Sequence, residues 1–275
     1  MSKIIDQTYD LILRKYRSGL EDLVISEISI GLYFTAVRLS DGTIGTSATL
    51  TENKPVCAKG NRDFGDFTPL KIKGQKVLKI LETNKESSVI PSLKTAVLNA
   101  LSSGFITPAR YRIIDDCDPV ELLDLKSGKT ITIVGAFQSY IRKISQTPNK
   151  LFVLELSENA LTPEQKQFYV PAENFREILP LSDIVIITGQ TLVNRTIDDL
   201  LSAVSPSSMV VVTGPSGNIL PDVLFENKVS LIGAIRITRP ELLFEVVSQG
   251  GTGFHLFEYC ARKICILRKD GTSPE

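Results

Sequence analysis

Polar turns, three of which carry glycine, follow four predicted β-strands in the second half of the chain. The residues of interest are Gly135, Glu155, Thr188, Gly189, Thr191, Asn194, Thr196, Gly214, Pro215 and Ser216. In an open parallel sheet, ligands bind in the crevice beyond the carboxyl ends of the strands. These turns therefore predict a small-molecule site at one edge of a sheet.

The first two positions allow a nucleotide cofactor. Gly135 follows the strand at 130–134, but it is one glycine where the dinucleotide fingerprint has three, so it also fits a plain tight turn. Glu155 ends the next strand, where an acidic residue in dinucleotide folds accepts hydrogen bonds from ribose hydroxyls. Glu155 is equally suited to a solvated surface or to binding a cation.

The next two turns have the chemistry of anion sites. Thr188, Thr191 and Asn194 place hydrogen-bonding side chains beside the start of a helix, whose partial positive charge favours an anion. Thr196 and Asp199 have the spacing of a capping box, which is a structural role. In the turn at 214–218, Ser216 and the following amides are suited to a phosphate or carboxylate. No Gly-Lys-Ser/Thr follows, which excludes a nucleoside-triphosphate loop.

The last candidate site residues are a glycine pair near the C-terminus and the single histidine. Gly250 and Gly251 either close the crevice or link a helix to a strand. His255 is the only imidazole, and no Gly-x-Ser-x-Gly elbow accompanies it, which argues against a catalytic triad. Whether the protein catalyses a reaction stays open.

Four cysteines are too few for a disulfide framework in a chain of 275 residues. Cys260 and Cys265, with His255, form one conceivable soft-metal group, although the spacing differs from that of zinc sites. Cys265 lies in an apolar run that predicts a buried strand, where a free thiol behaves as a small hydrophobe. The two remaining cysteines are Cys57 and Cys117.

The overall composition argues against nucleic acid and membranes as binding partners. Lys plus Arg and Asp plus Glu both number 31, so zero net charge gives no electrostatic basis for binding nucleic acid or an anionic membrane. No segment approaches the roughly 20 apolar residues that span a bilayer, and the first residues lack a secretory signal. We expect a cytoplasmic protein that binds a small molecule and that is free to form homo-oligomers.

The hydrophobic pattern predicts two domains, at 1–110 and 111–275. The first has a helix over 4–16, three strands at 24–30, 33–39 and 43–50 with an Asp41-Gly42 hairpin, and helices at 76–81 and 92–101. This is a small α+β unit. Between 105 and 118 the pattern loses its period, and a short helix is predicted at 120–125.

The second domain alternates strands with helices, which is typical of parallel strands joined by crossovers. Strands are predicted at 130–134, 151–156, 184–188, 209–213, 229–235 and 263–267, and helices at 138–144, 174–179, 197–204 and 240–248. The predicted fold is α/β, with a Rossmann-like, mostly parallel sheet that carries helices on both faces.

The ordered set of these segments resembles the family described as "Putative heavy-metal chelation", a Rossmann-like unit preceded by a domain similar to the enolase N-terminal fold. The matching segments are 131–135, 152–155, 183–196, 214–216 and 250–251, with 31–37 and 96–100 in the first domain. The resemblance implies a cleft between the two domains, lined by the strand-end turns and by Asn99. It also implies the handling of a metal or of a metal-binding small molecule.

Three functional hypotheses follow. The first is a protein that binds an anionic or heterocyclic ligand, such as a metal chelator, in the interdomain cleft. The second is an enzyme that uses NAD or S-adenosylmethionine, and the third is a direct, non-catalytic metal carrier. The chain supplies few soft ligands, so oxygen ligands such as Glu155 fit a metal better than thiolates do. A purely structural role is the remaining alternative.

Overall fold

The computed structural model describes residues 3–16, 18–50, 65–85, 87 and 89–269, and Cys57 lies outside them. Within these residues the chain forms a small antiparallel sheet and a large, mostly parallel one. The fold class predicted from the sequence is confirmed. No helix in the described part of the chain has the length and apolar character needed to cross a membrane.

The small unit packs helices on a three-stranded sheet. Its elements are α1 (Lys3–Tyr16), β1 (Ile25–Ile30), β2 (Phe34–Leu39), β3 (Ile44–Ala48), α2 (Val77–Glu82) and α3 (Val89–Ser103). The strands are antiparallel in the order β1-β2-β3. The predicted hairpin joins β2 to β3, and Asp41 Oδ1 accepts a hydrogen bond from the Thr43 amide at 2.9 Å. Most residues of α3 are buried, because this helix packs on β2 and β3.

The large unit is a sheet of eight strands in the order β7-β6-β5-β8-β9-β10-β11-β4. The strands are β4 (Tyr111–Asp115), β5 (Thr130–Val134), β6 (Lys150–Glu155), β7 (Tyr169–Pro171), β8 (Ile184–Thr188), β9 (Met209–Thr213), β10 (Val229–Ile237) and β11 (Ala261–Arg268). The helices are α4 (Gln138–Ser145), α5 (Phe175–Ile178), α6 (Gln190–Val193), α7 (Ile197–Ala203), α8 (Pro221–Glu226), α9 (Pro240–Ser248) and α10 (Gly253–Tyr259). Strands β5 to β10 are parallel, and β5, β8 and β9 are continuous runs of mostly buried β-branched residues.

The structure differs from the sequence prediction in several details, and it contains three short helices, α6, α8 and α10, that were not predicted. Strand β11 runs antiparallel to β10, because α10 ends beside the carboxyl end of β10, where the Thr238 amide donates to Cys260 O at 2.9 Å. The aperiodic stretch at 105–118 contains β4, which pairs with β11. Strand β7 is a three-residue edge strand without a readable pattern. The helix predicted at 120–125 is a single 3-10 turn at Pro119–Leu122.

The two units share one hydrophobic core. Ile12 and Leu93 of the small unit belong to the same buried cluster as Val185 and Ile219 of the large unit. Beside this core, the Asp222 carboxylate on α8 accepts a hydrogen bond from the Tyr111 hydroxyl at 3.0 Å. Asp222 also pairs with Lys15 of α1 at 3.7 Å and with Arg110 at 3.4 Å. Burial, followed by the charge of Asp222, raises the pKa of Tyr111.

Replacing Asp222 with Ala should destabilise the fold, because it leaves the hydroxyl of the buried Tyr111 without its acceptor and removes two ion pairs. We expect the free energy of unfolding to fall by about 1–3 kcal/mol in urea denaturation. The matched control is Asp22→Ala, since Asp22 is almost fully exposed and pairs with Lys76 at 3.7 Å. An exposed pair of this kind contributes about 0–1 kcal/mol. Equal effects of the two substitutions would contradict this role for Asp222.

Candidate functional site

The order of the strands creates a crevice at the carboxyl edge of the large sheet. After β5 the chain passes to β6 on one side, whereas β8 lies on the other side of β5. Such a reversal leaves the space beyond β5 and β8 uncovered by crossover connections. Gly135 and Thr188 follow or end these two strands, and a Cβ placed on Gly135 would lie 3.1 Å from Thr188 Cγ2. The first and third predicted turns therefore meet.

A cavity of about 610 Å³ opens at this point, and we call it the switch-point cavity. Among the residues predicted from the sequence, its lining includes Gly135, Glu155, Thr188, Thr191, Asn194 and Thr196. Apolar side chains, including Phe137, Phe175 and Leu200, form most of the remaining wall. The sequence thus located six candidate residues around one hollow, although they are distant along the chain.

The charge of the switch-point cavity is negative. Glu155, Glu173 and Asp199 line it, and no Lys or Arg does so among the described residues. Asp199 pairs with Arg176 at 3.3 Å, but both side chains are largely exposed, so the pair is strongly screened. Glu155 Oε1 accepts a hydrogen bond from the Leu156 amide at 2.7 Å. This charge favours a neutral or cationic ligand group over a phosphate.

The polar side chains of the third turn bond within the turn itself. The Thr191 hydroxyl donates to Thr188 O at 2.6 Å, and Asn194 Oδ1 accepts from the amide and the hydroxyl of Thr196 at 3.2 and 2.7 Å. The predicted capping box is wrong, because the Thr196 side chain makes no bond to the start of α7 and donates to Asn194 instead. A positive φ of 64° at Arg195 places Asn194 where it can accept those bonds.

A second cavity, of about 920 Å³, lies between the two units, and we call it the interdomain cleft. It borders the switch-point cavity, since Phe137, Thr188 and Gln190 line both. The small unit contributes the first residue of β2 and the last of β3, and the large unit contributes the ends of β8 and β9 and the middle of β10. The aromatic residues that line the cleft are Tyr33, Phe34, Phe137, Tyr140, Phe254 and Phe257. Gly214, Pro215 and Ser216, all predicted from the sequence, also line it.

Three polar side chains at the cleft form a connected group that sequence reasoning missed. The Asp118 carboxylate accepts hydrogen bonds from the Tyr140 hydroxyl and from the Lys263 ammonium. Burial raises the pKa of Tyr140 well above its ordinary value, and the bond to Asp118 adds to the effect. Lys263 begins the apolar run at 263–267, and a lysine in such a run was the available signal. Asp118 and Tyr140 had none, because they come from a connecting segment and a helix face.

Ser216 and Asn99 hold the two units together. Ser216 Oγ accepts a hydrogen bond from the Ala48 amide of β3 at 2.7 Å. The Asn99 amide group donates to Thr46 O at 2.6 Å and to Ser216 O at 3.1 Å, while its Oδ1 has no partner among the described residues. Asn99 is 1% exposed and borders neither cavity. The structure therefore gives Asn99 a contact between the units and no place in the lining of the cleft.

The remaining predicted glycines have structural reasons. A Cβ on Gly189 would lie 2.8 Å from the backbone nitrogen of Gly217, so glycine allows the third and fourth turns to approach each other. Gly250 and Gly251 end α9, since their amides donate to Val247 O and Val246 O at 3.2 and 2.8 Å. They link α9 to α10, and neither lines a cavity described above.

Comparison with known families gives a match over most of the chain. The family model described as "Putative heavy-metal chelation" matches residues 118–266, and a second model with the same description matches residues 13–102. The chain belongs to this heavy-metal chelation family. A comparison with curated proteins finds no match.

Two solved structures of the heavy-metal chelation family share the fold. A protein of unknown function from the DUF364 family of Pyrococcus horikoshii is 22% identical, with a TM-score of 0.76 and coverage of 98% of this chain and 99% of that one. Another from Desulfitobacterium hafniense is 18% identical, with a TM-score of 0.68 and coverage of 96% and 99%. At these identities the likeness concerns the fold alone.

The description of the heavy-metal chelation family raises the question of a resident metal, and the described residues do not fit one. They contain no group of three His, Cys, Asp or Glu side chains that could hold an ion. Thr252 and His255 cap α10, where His255 Nδ1 accepts a hydrogen bond from the Thr252 amide at 3.0 Å. Burial raises the pKa of the Cys260 thiol to about 11 and also raises that of Cys265, which keeps both protonated and poor as ligands.

Asn99→Ala should weaken the junction between the units, because it leaves buried carbonyl groups of β3 and of the 214–218 turn without their donor. We expect a loss of about 1–3 kcal/mol in the free energy of unfolding. Asn159→Ala is the control, since Asn159 is exposed and its side chain makes no hydrogen bond in the described structure. An Asn99→Ala protein as stable as the control would show that these bonds contribute nothing.

Proposed function

We propose that this protein binds a planar heterocyclic small molecule in the interdomain cleft. The observation that carries the proposal is the convergence of aromatic rings from both units on one cavity of about 920 Å³. Tyr33 of the small unit and Phe254 of α10 are 48% and 71% exposed, although burial of such rings stabilises a protein. A planar ligand between them would remove this apolar surface from water.

The polar group in the cleft supports a ligand with a hydrogen-bonding edge. Lys263 is the only cation among the described lining residues, and it lies over the Phe257 ring at 5.1 Å. While paired with Asp118, the Lys263 side chain is 43% exposed. An anionic substituent of the heterocycle, such as a carboxylate, would bind to Lys263, while the aromatic rings stack on the ring system.

The family description suggests how a metal enters this scheme. Because the described residues gather no ligand set for an ion, a metal would reach the cleft bound to the organic molecule. A heterocycle with an adjacent carboxylate is itself a bidentate chelator. The proposed role is therefore recognition of a metal-chelating small molecule, with the protein supplying shape, stacking and one charge.

Thermal unfolding with a panel of pterins, pyridine carboxylates and nucleotides, each with and without divalent metal, tests the proposal. A ligand of the native state raises the melting temperature. The chain contains no tryptophan, so ligand fluorescence can be excited beyond the tyrosine band without background from the protein. We expect at least one planar heterocycle to bind, and a panel without any binding heterocycle would overturn the proposal.

Phe254→Ala should weaken that binding about tenfold through loss of stacking, with little effect on stability because Phe254 is mostly exposed. Tyr259→Ala is the matched control on the same helix, since Tyr259 is 48% exposed and does not line the cleft. Dissociation constants from ligand fluorescence compare the two variants. Equal affinities would place the ligand elsewhere.

A second candidate function is binding of a cationic nucleoside of the S-adenosylmethionine type in the switch-point cavity. Glu155 ends β6 at the position suited to a ribose diol, and the apolar wall suits a base. The carboxylates Glu173 and Asp199 favour a sulfonium and disfavour the pyrophosphate of NAD.

Calorimetry should therefore show S-adenosylmethionine binding more tightly than its neutral thioether analogue S-adenosylhomocysteine, and NAD binding most weakly. Glu155→Gln should reduce the affinity for S-adenosylmethionine about tenfold, because the charged acceptor for the diol is lost. Glu158→Gln, on the exposed 3-10 turn after β6, is the control. Tighter binding of NAD, or no effect of Glu155→Gln, would reject this candidate.

A further inference from the structure

A third cavity lies outside the switch-point cavity and the interdomain cleft. Its described lining is positively charged, whereas that of the switch-point cavity is negatively charged. It has a volume of about 490 Å³ and lies between the α2–α3 connection and the turn that joins α6 to α7. Lys85, Lys94 and Arg195 line it, together with Asn84 and Asn194. No carboxylate does so among the described residues. We call it the basic cavity.

Lys94 is the unusual residue of the basic cavity. It belongs to the buried face of α3 and is 9% exposed, although a lysine is seldom buried without an ionic partner. Its ammonium group donates to a neutral acceptor, Thr83 O, at 2.7 Å. Burial, followed by the charge of Arg195, lowers the pKa of Lys94. Lys94 and Arg195 therefore line one cavity and repel each other, and a bound anion would relieve this repulsion.

The backbone of Arg195 is fixed in a left-handed conformation. Its φ of 64° is in the left-handed region, which costs a non-glycine residue about 1 kcal/mol or more. The bonds of Thr196 to Asn194 hold the chain in this turn. Arg195 is exposed at the cavity, and it forms no ion pair with any described residue.

The described carboxylates nearest to these cations line a neighbouring cavity. Asp6 of α1 raises the pKa of Lys94, but less than burial and Arg195 lower it. Asp6, Asp10 and Glu82 line a separate neighbouring cavity, which Lys94 and Arg195 also border. The described surface of the basic cavity is therefore free of acidic groups, and it is the face from which an anion would approach.

We propose that the basic cavity binds a small oxyanion of the phosphate or pyrophosphate class, through the ammonium of Lys94 and the guanidinium of Arg195. Lys85 and Asn84 line the same cavity and carry further hydrogen-bond donors. A tetrahedral oxyanion matches this chemistry, because its several acceptor oxygens can serve two or three cationic donors at once. The site is independent of the proposed heterocycle site, although Asn194 lies between it and the switch-point cavity.

The test measures binding of inorganic pyrophosphate by thermal unfolding and by calorimetry in a phosphate-free buffer. Sodium chloride at matched ionic strength controls for general screening. We expect a saturable rise in melting temperature with pyrophosphate and none with chloride. A parallel titration with ADP distinguishes a free anion from the phosphate end of a larger ligand, since only a site with room for the nucleoside accepts both.

Arg195→Gly is the decisive variant, because glycine relieves the positive φ and the protein should be at least as stable as the wild type without ligand. We expect its dissociation constant for pyrophosphate to rise about tenfold or more. Lys94→Met should have a similar effect, and if that variant fails to fold, Arg195→Gly alone decides. Arg142→Gln, at an exposed position of α4, is the matched control.

Unchanged pyrophosphate affinity in Arg195→Gly, or an equal rise in melting temperature with chloride, would overturn the proposal. Phe254→Ala should retain the response to pyrophosphate, because its ring lines the interdomain cleft. The pyrophosphate proposal and the heterocycle proposal can therefore fail independently of each other.

Discussion

The close approach of three backbone segments at the carboxyl edge of the large sheet determines the rest of the structure. The turns after β8 and β9 come so near that no Cβ fits on Gly189. Strand β3 reaches the second of these turns through the bond from the Ala48 amide to Ser216. The Asn99 side chain donates hydrogen bonds both to β3 and to the same turn. The junction itself is closely packed, and the switch-point cavity and the interdomain cleft lie beside it.

The two cavities differ in charge, and the difference comes from which elements surround each one. The switch-point cavity receives Glu155, Glu173 and Asp199 from the connections beyond β6 and β7 and from α7. The interdomain cleft carries one balanced Lys263–Asp118 pair among aromatic rings. A chain with zero net charge thus maintains distinct local fields, which composition alone cannot reveal.

The strand pattern made the fold largely predictable from the sequence. Strands β5, β8 and β9 have the predicted bounds, because buried parallel strands are continuous apolar runs between turn signals. Strand β4 was missed since its Tyr-Arg-Ile-Ile-Asp sequence depends on pairing with β11, more than a hundred residues away. The direction of β11 was equally hidden, because it follows from where α10 ends and not from the composition of the strand.

The candidate site was predictable in position but less so in chemistry. Strand-end turns converge for topological reasons, so Gly135, Thr188 and Ser216 could be placed at one edge. The hydrogen bonds of their neighbours could not be foreseen, since Asn194 and Thr196 satisfy each other within the turn. Residues from a connection, a helix and an antiparallel strand meet in the Asp118–Tyr140–Lys263 group only once the chain has folded.

The hydrogen bonds within the turns have a physical cause, and the same cause bears on which kind of ligand fits the family description. Short polar residues in a strand-end turn lie next to backbone groups that need partners, and they bond to these before any ligand arrives. Long side chains such as Lys263 and Arg195 extend past the backbone and remain partly available. The thiols of the described residues are buried, and the imidazole caps α10. The chemistry left exposed is cationic, carboxylate and aromatic, which suits an organic or oxyanionic ligand better than a bare soft metal.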